Sequence, residues 1–243
     1  MSALSQPGTS PIPVRQRLIV ALDVPDSASA KSLVEELGDS VEFYKIGLEL
    51  AGSGEYFDLL AWLLEQDKRV FADLKFYDVP ATVSSAVRQI RRWGASFLTI
   101  HGDRSIMEAA ASEKGDSLQL LAVTVLTSLD QSDLTDMGIT LDVKDLALLR
   151  AEQALKAGCD GVISSGLEAT AIRERIGPEL LIVSPGIRPA DSTSVDDQKR
   201  IVTPTRAFEN GADYIVVGRP IRNASSPRET AESMQAEIAA ALQ

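Results

Sequence analysis

Eight short apolar runs, each followed by a stretch with helical spacing, divide this chain from Arg17 to its end. The runs are RLIVALDV (17–24), VEFYKIG (41–47), RVFADLKF (69–76), FLTIHG (97–102), LQLLAVTVL (118–126), GVISSG (161–166), LLIVSPG (180–186) and YIVVGRPI (214–221). Their apolar residues are continuous rather than alternating, as in a parallel sheet covered on both faces. Stretches such as SASAKSLVEELG, ATVSSAVRQIRRWG and VKDLALLRAEQALKAG space their apolar residues as amphipathic helices do. Eight strand–helix units in 243 residues predict a single (β/α)₈ TIM barrel. A doubly wound open sheet is the alternative, but the first βα turn, ALDVPDSAS, has no G-x-G-x-x-G phosphate fingerprint. Short polar helical turns are expected over 131–139, where the loop after the fifth strand is long.

Residues 1–14, rich in Ser, Pro and Gly, read as a flexible tail, leaving 15–243 as one catalytic barrel domain. The tail lacks an apolar leader segment and no apolar run approaches the ~18 residues of a membrane span, so a cytoplasmic protein is expected. A formal charge of −11 disfavours nucleic acid and anionic membranes as partners. The one cysteine, Cys159, supports neither an internal disulfide nor a metal cluster and reads as core.

Polar residues collect at the C-terminal ends of the predicted strands. They are Asp23, Lys45, Asp73 and Lys75, His101, Thr127 and Ser128, Arg188 in SPGIRP, and Gly218 with Arg219. In a barrel these ends converge on one mouth, where barrel enzymes do their chemistry. Asp73 and Lys75 are two apart on a strand and so share a face. Asp78 lies just beyond, before Pro80, and can reach the same site or that of a neighbouring subunit. The set Lys45–Asp73–Lys75–Asp78 is formally neutral and alternating. It reads as a device that keeps a lysine charged and aimed at one atom as a proton donor. A buried salt-bridge network without chemistry is the plain alternative.

Gly218 and Arg219 follow the eighth strand, where barrels often bind a phosphate, and the arginine fork suits that anion. The polar loop GIRPADSTSVDDQKRIVTP, with Arg188, Gln198, Lys199 and Arg200, reads as a lid or as an ordinary surface loop. His101, the one histidine, can line the mouth or serve structurally. Residue chemistry alone reaches a phosphorylated anionic small molecule and proton chemistry by lysine.

IVALDV, YKIGLEL, FADLKFYDVPATV, VTVLTS, SPGIRP, DDQKRIVTP and IVVGRPI, in this order, resemble the orotidine 5′-phosphate decarboxylase family over nearly the whole chain. The D-x-K-x-x-D element is shared with barrels that act on keto-sugar phosphates; LTS, PGIRP and the Gln-bearing loop fit the nucleotide enzyme. Tyr77 and Ala81 stand where many members have His and Asn. The resemblance implies conversion of orotidine 5′-monophosphate to UMP and CO₂, the last step of de novo pyrimidine synthesis, with no cofactor and no metal. Lys75 would protonate C6 and Asp73 would sit beside the substrate carboxylate. Asp78 and Thr82 would come from the partner in a homodimer. Asp23 and Lys45 would hold the ribose, Thr127 and Ser128 the pyrimidine, and Arg188, Gln198, Gly218 and Arg219 the phosphate.

A Mg²⁺-dependent keto-sugar-phosphate enzyme on the same barrel would need a carboxylate near the D-x-K element, where Lys45 stands instead. A barrel that binds a nucleotide without turnover has no use for so costly a charge network. A scaffolding protein gives no reason for polar residues at the strand ends.

Overall fold

The structure, a computed structural model, describes residues 12–189 and 201–243. A short 3₁₀ turn (Val14–Arg17) leads into β1 (Leu18–Ala21), α1 (Ser27–Leu37) and β2 (Phe43–Gly47). Then come α2 (Leu48–Ala51), α3 (Tyr56–Glu65), β3 (Arg69–Phe76), α4 (Pro80–Arg92), β4 (Phe97–His101), α5 (Arg104–Ala111) and β5 (Gln119–Val123). The chain continues with α6 (Gln131–Asp136), α7 (Val143–Ala157), β6 (Gly161–Ile163), α8 (Ala169–Ile176) and β7 (Leu181–Ser184). It closes with α9 (Pro204–Glu209), β8 (Tyr214–Val217), α10 (Arg219–Arg222) and α11 (Pro227–Ala241). The eight strands pair in chain order, all parallel, and β8 returns to β1, so the sheet closes into the expected barrel.

Each strand has two buried faces. Leu18, Val20, Tyr44, Ile46, Val70, Leu98, Ile182 and Ile215 point outward into the layer shared with the helices. Ile19, Ala21, Phe43, Phe71, Phe97, Leu121, Val183, Tyr214 and Val216 fill the barrel interior. Phe43 sits 5.0 Å from Phe97 and 6.1 Å from Tyr214, ring centre to ring centre. The Arg69 guanidinium lies 4.3 Å above Phe43, and its Nη1 donates to Gln16 Oε1 at 2.8 Å. This aromatic and guanidinium plug fills the N-terminal end of the barrel. Ile12, within the stretch expected to be a tail, packs against this inner cluster.

The helices end where local chemistry dictates. Asp26 caps α1 by accepting from the Ser29 N–H at 2.7 Å. α4 starts with Pro80 and buries Val83, Val87 and Ile90 as one stripe. The polar turn expected near 131–139 is α6, fastened by a reciprocal Asp130–Asp133 capping box. Several strands are shorter than the apolar runs suggest. β7 stops at Ser184 because Pro185 has no N–H for the ladder, and β8 stops at Val217 because Pro220 opens α10. Past β5, Val125 leaves the sheet for a satellite cluster with Leu134 and Leu146. No helix among the described residues is long and apolar enough to cross a membrane.

Candidate active site

The inward positions change character along each strand. In β1 they read Ile19 and Ala21, with Asp23 just past its end; in β2 Phe43, then Lys45; in β3 Phe71, then Asp73. The register places Ala21 beside Lys45, Lys45 beside Phe71 and Gly47 beside Asp73, so the three charged side chains meet above the apolar plug. Lys45 Nζ donates to Asp23 Oδ1 at 2.9 Å and lies 3.2 Å from Asp73 Oδ2. Lys75 Nζ donates to Asp73 Oδ1 at 2.7 Å. The result is one chain of alternating charge, Asp23–Lys45–Asp73–Lys75.

Burial by itself would push the Lys45 ammonium down, but Asp73 and Asp23 outweigh it and its pKa is raised. Burial likewise opposes the Asp73 charge, yet Lys45, Lys75 and the Thr99 hydroxyl hold its pKa below the usual carboxylate value. Both groups stay ionised although nearly enclosed.

Asp73 and Lys75 do reach the same place, though not by plain strand alternation. Ala72 pairs with Leu98 and Phe76 with Ile100, so Asp73, Leu74 and Lys75 bulge opposite the single residue Thr99. Lys75 takes φ 46°, in the left-handed region that few non-glycine residues occupy.

A cavity of about 430 Å³ opens over this chain of charges, within the size range of small-ligand sites. Its walls include Asp23, Lys45, Asp73, Lys75, Thr127, Ser128, Arg188, Gly218 and Arg219. These polar strand-end residues thus gather at one mouth; His101, for which lining the mouth and a structural role were both open, is not among the lining residues. Arg188 is buried and its Nη1 donates to the Ile187 carbonyl at 2.8 Å. Arg188 and Arg219 follow the adjacent strands β7 and β8, so the cations concentrate on one side of the mouth. Val125, Leu126, Ile163, Pro185 and Val216 complete an apolar wall.

Two expected members lie apart from the cavity of their own chain. Asp78 is exposed, and its Oδ1 accepts from the Val79 N–H at 2.6 Å. Thr82 is exposed one turn further along α4. Of the two routes open to Asp78, its own site or a neighbour's, the single chain does not use the first. The reason is local: Asp78 follows the end of β3, where the backbone turns outward to start α4 at Pro80. Gln198 lies outside the described residues, as do Lys199 and Arg200. His101 packs against Tyr77 with ring centres 4.6 Å apart and planes tilted by 43°; burial, with Arg150 and Lys75 nearby, lowers its pKa although Asp103 pulls the other way. Among the described residues no three His, Cys, Asp or Glu side chains converge as a metal-ligand set.

Two residues of this region carry no obvious mark in the chain. Thr99, fully buried, donates to Asp73 Oδ1 at 2.8 Å. It sits two before His101, on the same inward face, which is the one signal that could have found it. Arg222 lines the cavity with a buried Nη1 that makes no hydrogen bond among the described residues. Its spacing of three from Arg219 is that signal.

A family model described as "Orotidine 5′-phosphate decarboxylase / HUMPS family" matches residues 16–234. A protein named orotidine 5′-phosphate decarboxylase from Methylococcus capsulatus is 61% identical over 228 residues, covering 94% of each chain. One of the same name from Stenotrophomonas maltophilia is 52% identical over 236 residues, covering 96% of this chain and 98% of its own. Among solved structures, the orotidine 5′-phosphate decarboxylase of Lactobacillus acidophilus superposes with a TM-score of 0.81 at 34% identity. That match spans 92% of this chain and 99% of the other. With the family's barrel, its order of motifs and a match over nearly its whole length, this chain belongs to the orotidine 5′-phosphate decarboxylase family.

Proposed function

We propose that this protein decarboxylates orotidine 5′-monophosphate to UMP and CO₂, the last step of de novo pyrimidine synthesis, with Lys75 as proton donor and without metal or organic cofactor. The observation that carries this reading is the chain Asp23–Lys45–Asp73–Lys75 under a cavity whose far side presents Arg188 and Arg219. The relatives in Methylococcus and Stenotrophomonas bear the name of this activity.

The arginine side takes the phosphate, with Gln198 and Gly218, and Thr127 and Ser128 take the pyrimidine. Asp23 and Lys45 take the ribose hydroxyls. The substrate carboxylate then lies near Asp73, and C6 near Lys75. As the C6–carboxylate bond breaks, CO₂ departs and its bonding pair stays on C6. An ammonium fixed in place stabilises that charge without having to reorganise. The Lys75 Nζ proton moves to C6, and the neutral amine recovers a proton from water. Phosphate binding, remote from the breaking bond, supplies energy to close the site around it.

A homodimer completes the site in this reading, Asp78 and Thr82 entering from the partner. Leu48 is 63% exposed, Tyr77 66% and Val79 62%, on the segments after the neighbouring strands β2 and β3. This apolar surface flanks Asp78, as an interface that delivers it would require. The absence of a metal requirement is favoured by Lys45, which occupies with an ammonium the ground between Asp23 and Asp73. A cytoplasmic location accords with a small anionic substrate of central metabolism.

The test follows the absorbance change of orotidine 5′-monophosphate with purified protein in EDTA, beside Lys75→Ala. Turnover in EDTA that collapses in the variant is expected. No turnover by the wild-type protein would sink the proposal and turn attention to keto-sugar phosphates with Mg²⁺. Turnover that survives Lys75→Ala would leave the activity and remove Lys75 as its acid.

A further inference from the structure

One hydroxyl bridges two residues of the bulge in β3. Thr99 Oγ1 accepts the Lys75 backbone N–H at 3.0 Å and donates its own hydrogen to Asp73 Oδ1 at 2.8 Å. Asp73 Oδ1 also accepts from Lys75 Nζ at 2.7 Å. The hydroxyl therefore closes a ring that runs from the Lys75 backbone through Thr99 and Asp73 to the Lys75 ammonium. Thr99 is fully buried and is not among the residues lining the cavity, so it meets a ligand only through its neighbours.

We propose that Thr99 is a positioning residue for Lys75, its hydroxyl holding both the left-handed backbone of Lys75 and the Asp73 carboxylate that aims the ammonium. This rests on the decarboxylase reading of the site. The physical case has three parts. A β-branched or long side chain in the left-handed region persists only where its surroundings impose it. At Lys75 the ladder to β4 is interrupted, since Ala72 and Phe76 flank the bulge, and the Lys75 N–H finds Thr99 Oγ1 instead. A hydroxyl has a single hydrogen to donate, and with the Lys75 N–H accepted on one lone pair that hydrogen is given to Asp73. Asp73 must accept from Thr99 and Lys75 on one oxygen while the other faces Lys45. Its carboxylate plane is thereby fixed, and so is the place of the Lys75 ammonium. Small displacements of a reacting group are costly in rate.

Thr99→Val keeps the shape and removes the hydroxyl; Thr99→Ser keeps the hydroxyl and removes the methyl. For Val, kcat is expected to fall about 10- to 100-fold, the factor that a hydrogen bond to a charged group carries. KM and the affinity for UMP should stay within about 2-fold, because binding groups elsewhere are intact. Ser should retain most of kcat. Equal losses in both variants would make Thr99 a packing residue and overturn the proposal, as would an unchanged kcat in Val. A rise in KM and weaker UMP binding with kcat kept would also overturn it. Crystal structures of wild type and Thr99→Val give a readout that needs no turnover. Lys75 leaving the left-handed region and its ammonium leaving Asp73 is expected; an unmoved Lys75 refutes the positioning role. If wild type fails to turn over the nucleotide, the function falls and this structural comparison still decides Thr99. Should the Val variant not fold, Thr99→Ala is read in the same way.

Discussion

Lys75 and Asp73 form a 2.7 Å ion pair across a β-bulge, and among the described residues Asp73 is the one carboxylate shared by both site lysines. Removing its charge leaves Lys45 and Lys75 facing each other at the same point, with Lys45 buried. Asp73→Asn is therefore expected to destabilise the fold by about 3 kcal/mol, the usual cost of stripping one partner from a buried pair. Urea unfolding of the variant beside wild type checks it; an unchanged midpoint would mean that the lysines relax into water.

The buried pair of Asp73 and Lys45 has a defined pH window. Asp73 has its pKa lowered from 3.8, so its contribution is complete above that value and is lost as pH falls through the folded one. Lys45 has its pKa raised from 10.5, so its contribution is complete below that value and is lost as pH rises through the folded one. The stability difference between wild type and Asp73→Asn is expected to be flat between these limits and to shrink on strong acidification. Chemical denaturation across the acid range measures it.

His101 is the chain's one histidine, so its imidazole gives one assignable resonance. Burial holds its pKa below 6.5. Below 6.5 the unfolded chain takes up this proton before the folded one does, so stability declines with acidification in that window. NMR titration should place the midpoint under 6.5, and His101→Gln should flatten that part of the stability profile. A midpoint above 6.5 would mean that Asp103 outweighs burial.

Exchange of subunits tests the origin of Asp78. Lys75→Ala and Asp78→Ala proteins are each expected to be inactive. If the protein is the proposed homodimer, mixing with subunit exchange should give heterodimers in which one site carries both native residues, restoring about a quarter of the sites at random pairing. Silence of the mixture, with heterodimers shown to be present, would place both residues in one chain.

Cys159 lies under the helix layer, and burial, with Asp160 beside it, pushes its thiol up to about 12. A thiol reagent at neutral pH should leave the native protein untouched and react fully in denaturant. Rapid native reaction would show that this part of the barrel opens readily.

Much of this was legible from residue order alone. A parallel strand covered on both sides has to be apolar, so each of the eight runs announced itself. An ionisable residue at the end of such a run has few places to go except the mouth, which is why Asp23, Lys45, Asp73 and Arg188 were found. The ends of the runs were less legible. Leu126 and Ile221 look like strand residues, yet the ladder stops at Val123 and Val217, because pairing depends on what the neighbouring strands offer.

Residue order by itself determined the barrel, the end of it that carries the charges and the identity of nearly all the groups there, because apolar periodicity and strand-end polarity are local properties. Only the tertiary structure decided how those groups are held. Lys75 turns left-handed because three residues of β3 must face one of β4, and that register arises from two strands together. Thr99 matters because the bulge brings the Lys75 N–H and Asp73 to its hydroxyl. Asp78 turns away because β3 has ended before it. Hydrogen bonds between strands and the direction of a side chain past a strand end depend on partners distant in sequence, and those exist only once the barrel has closed.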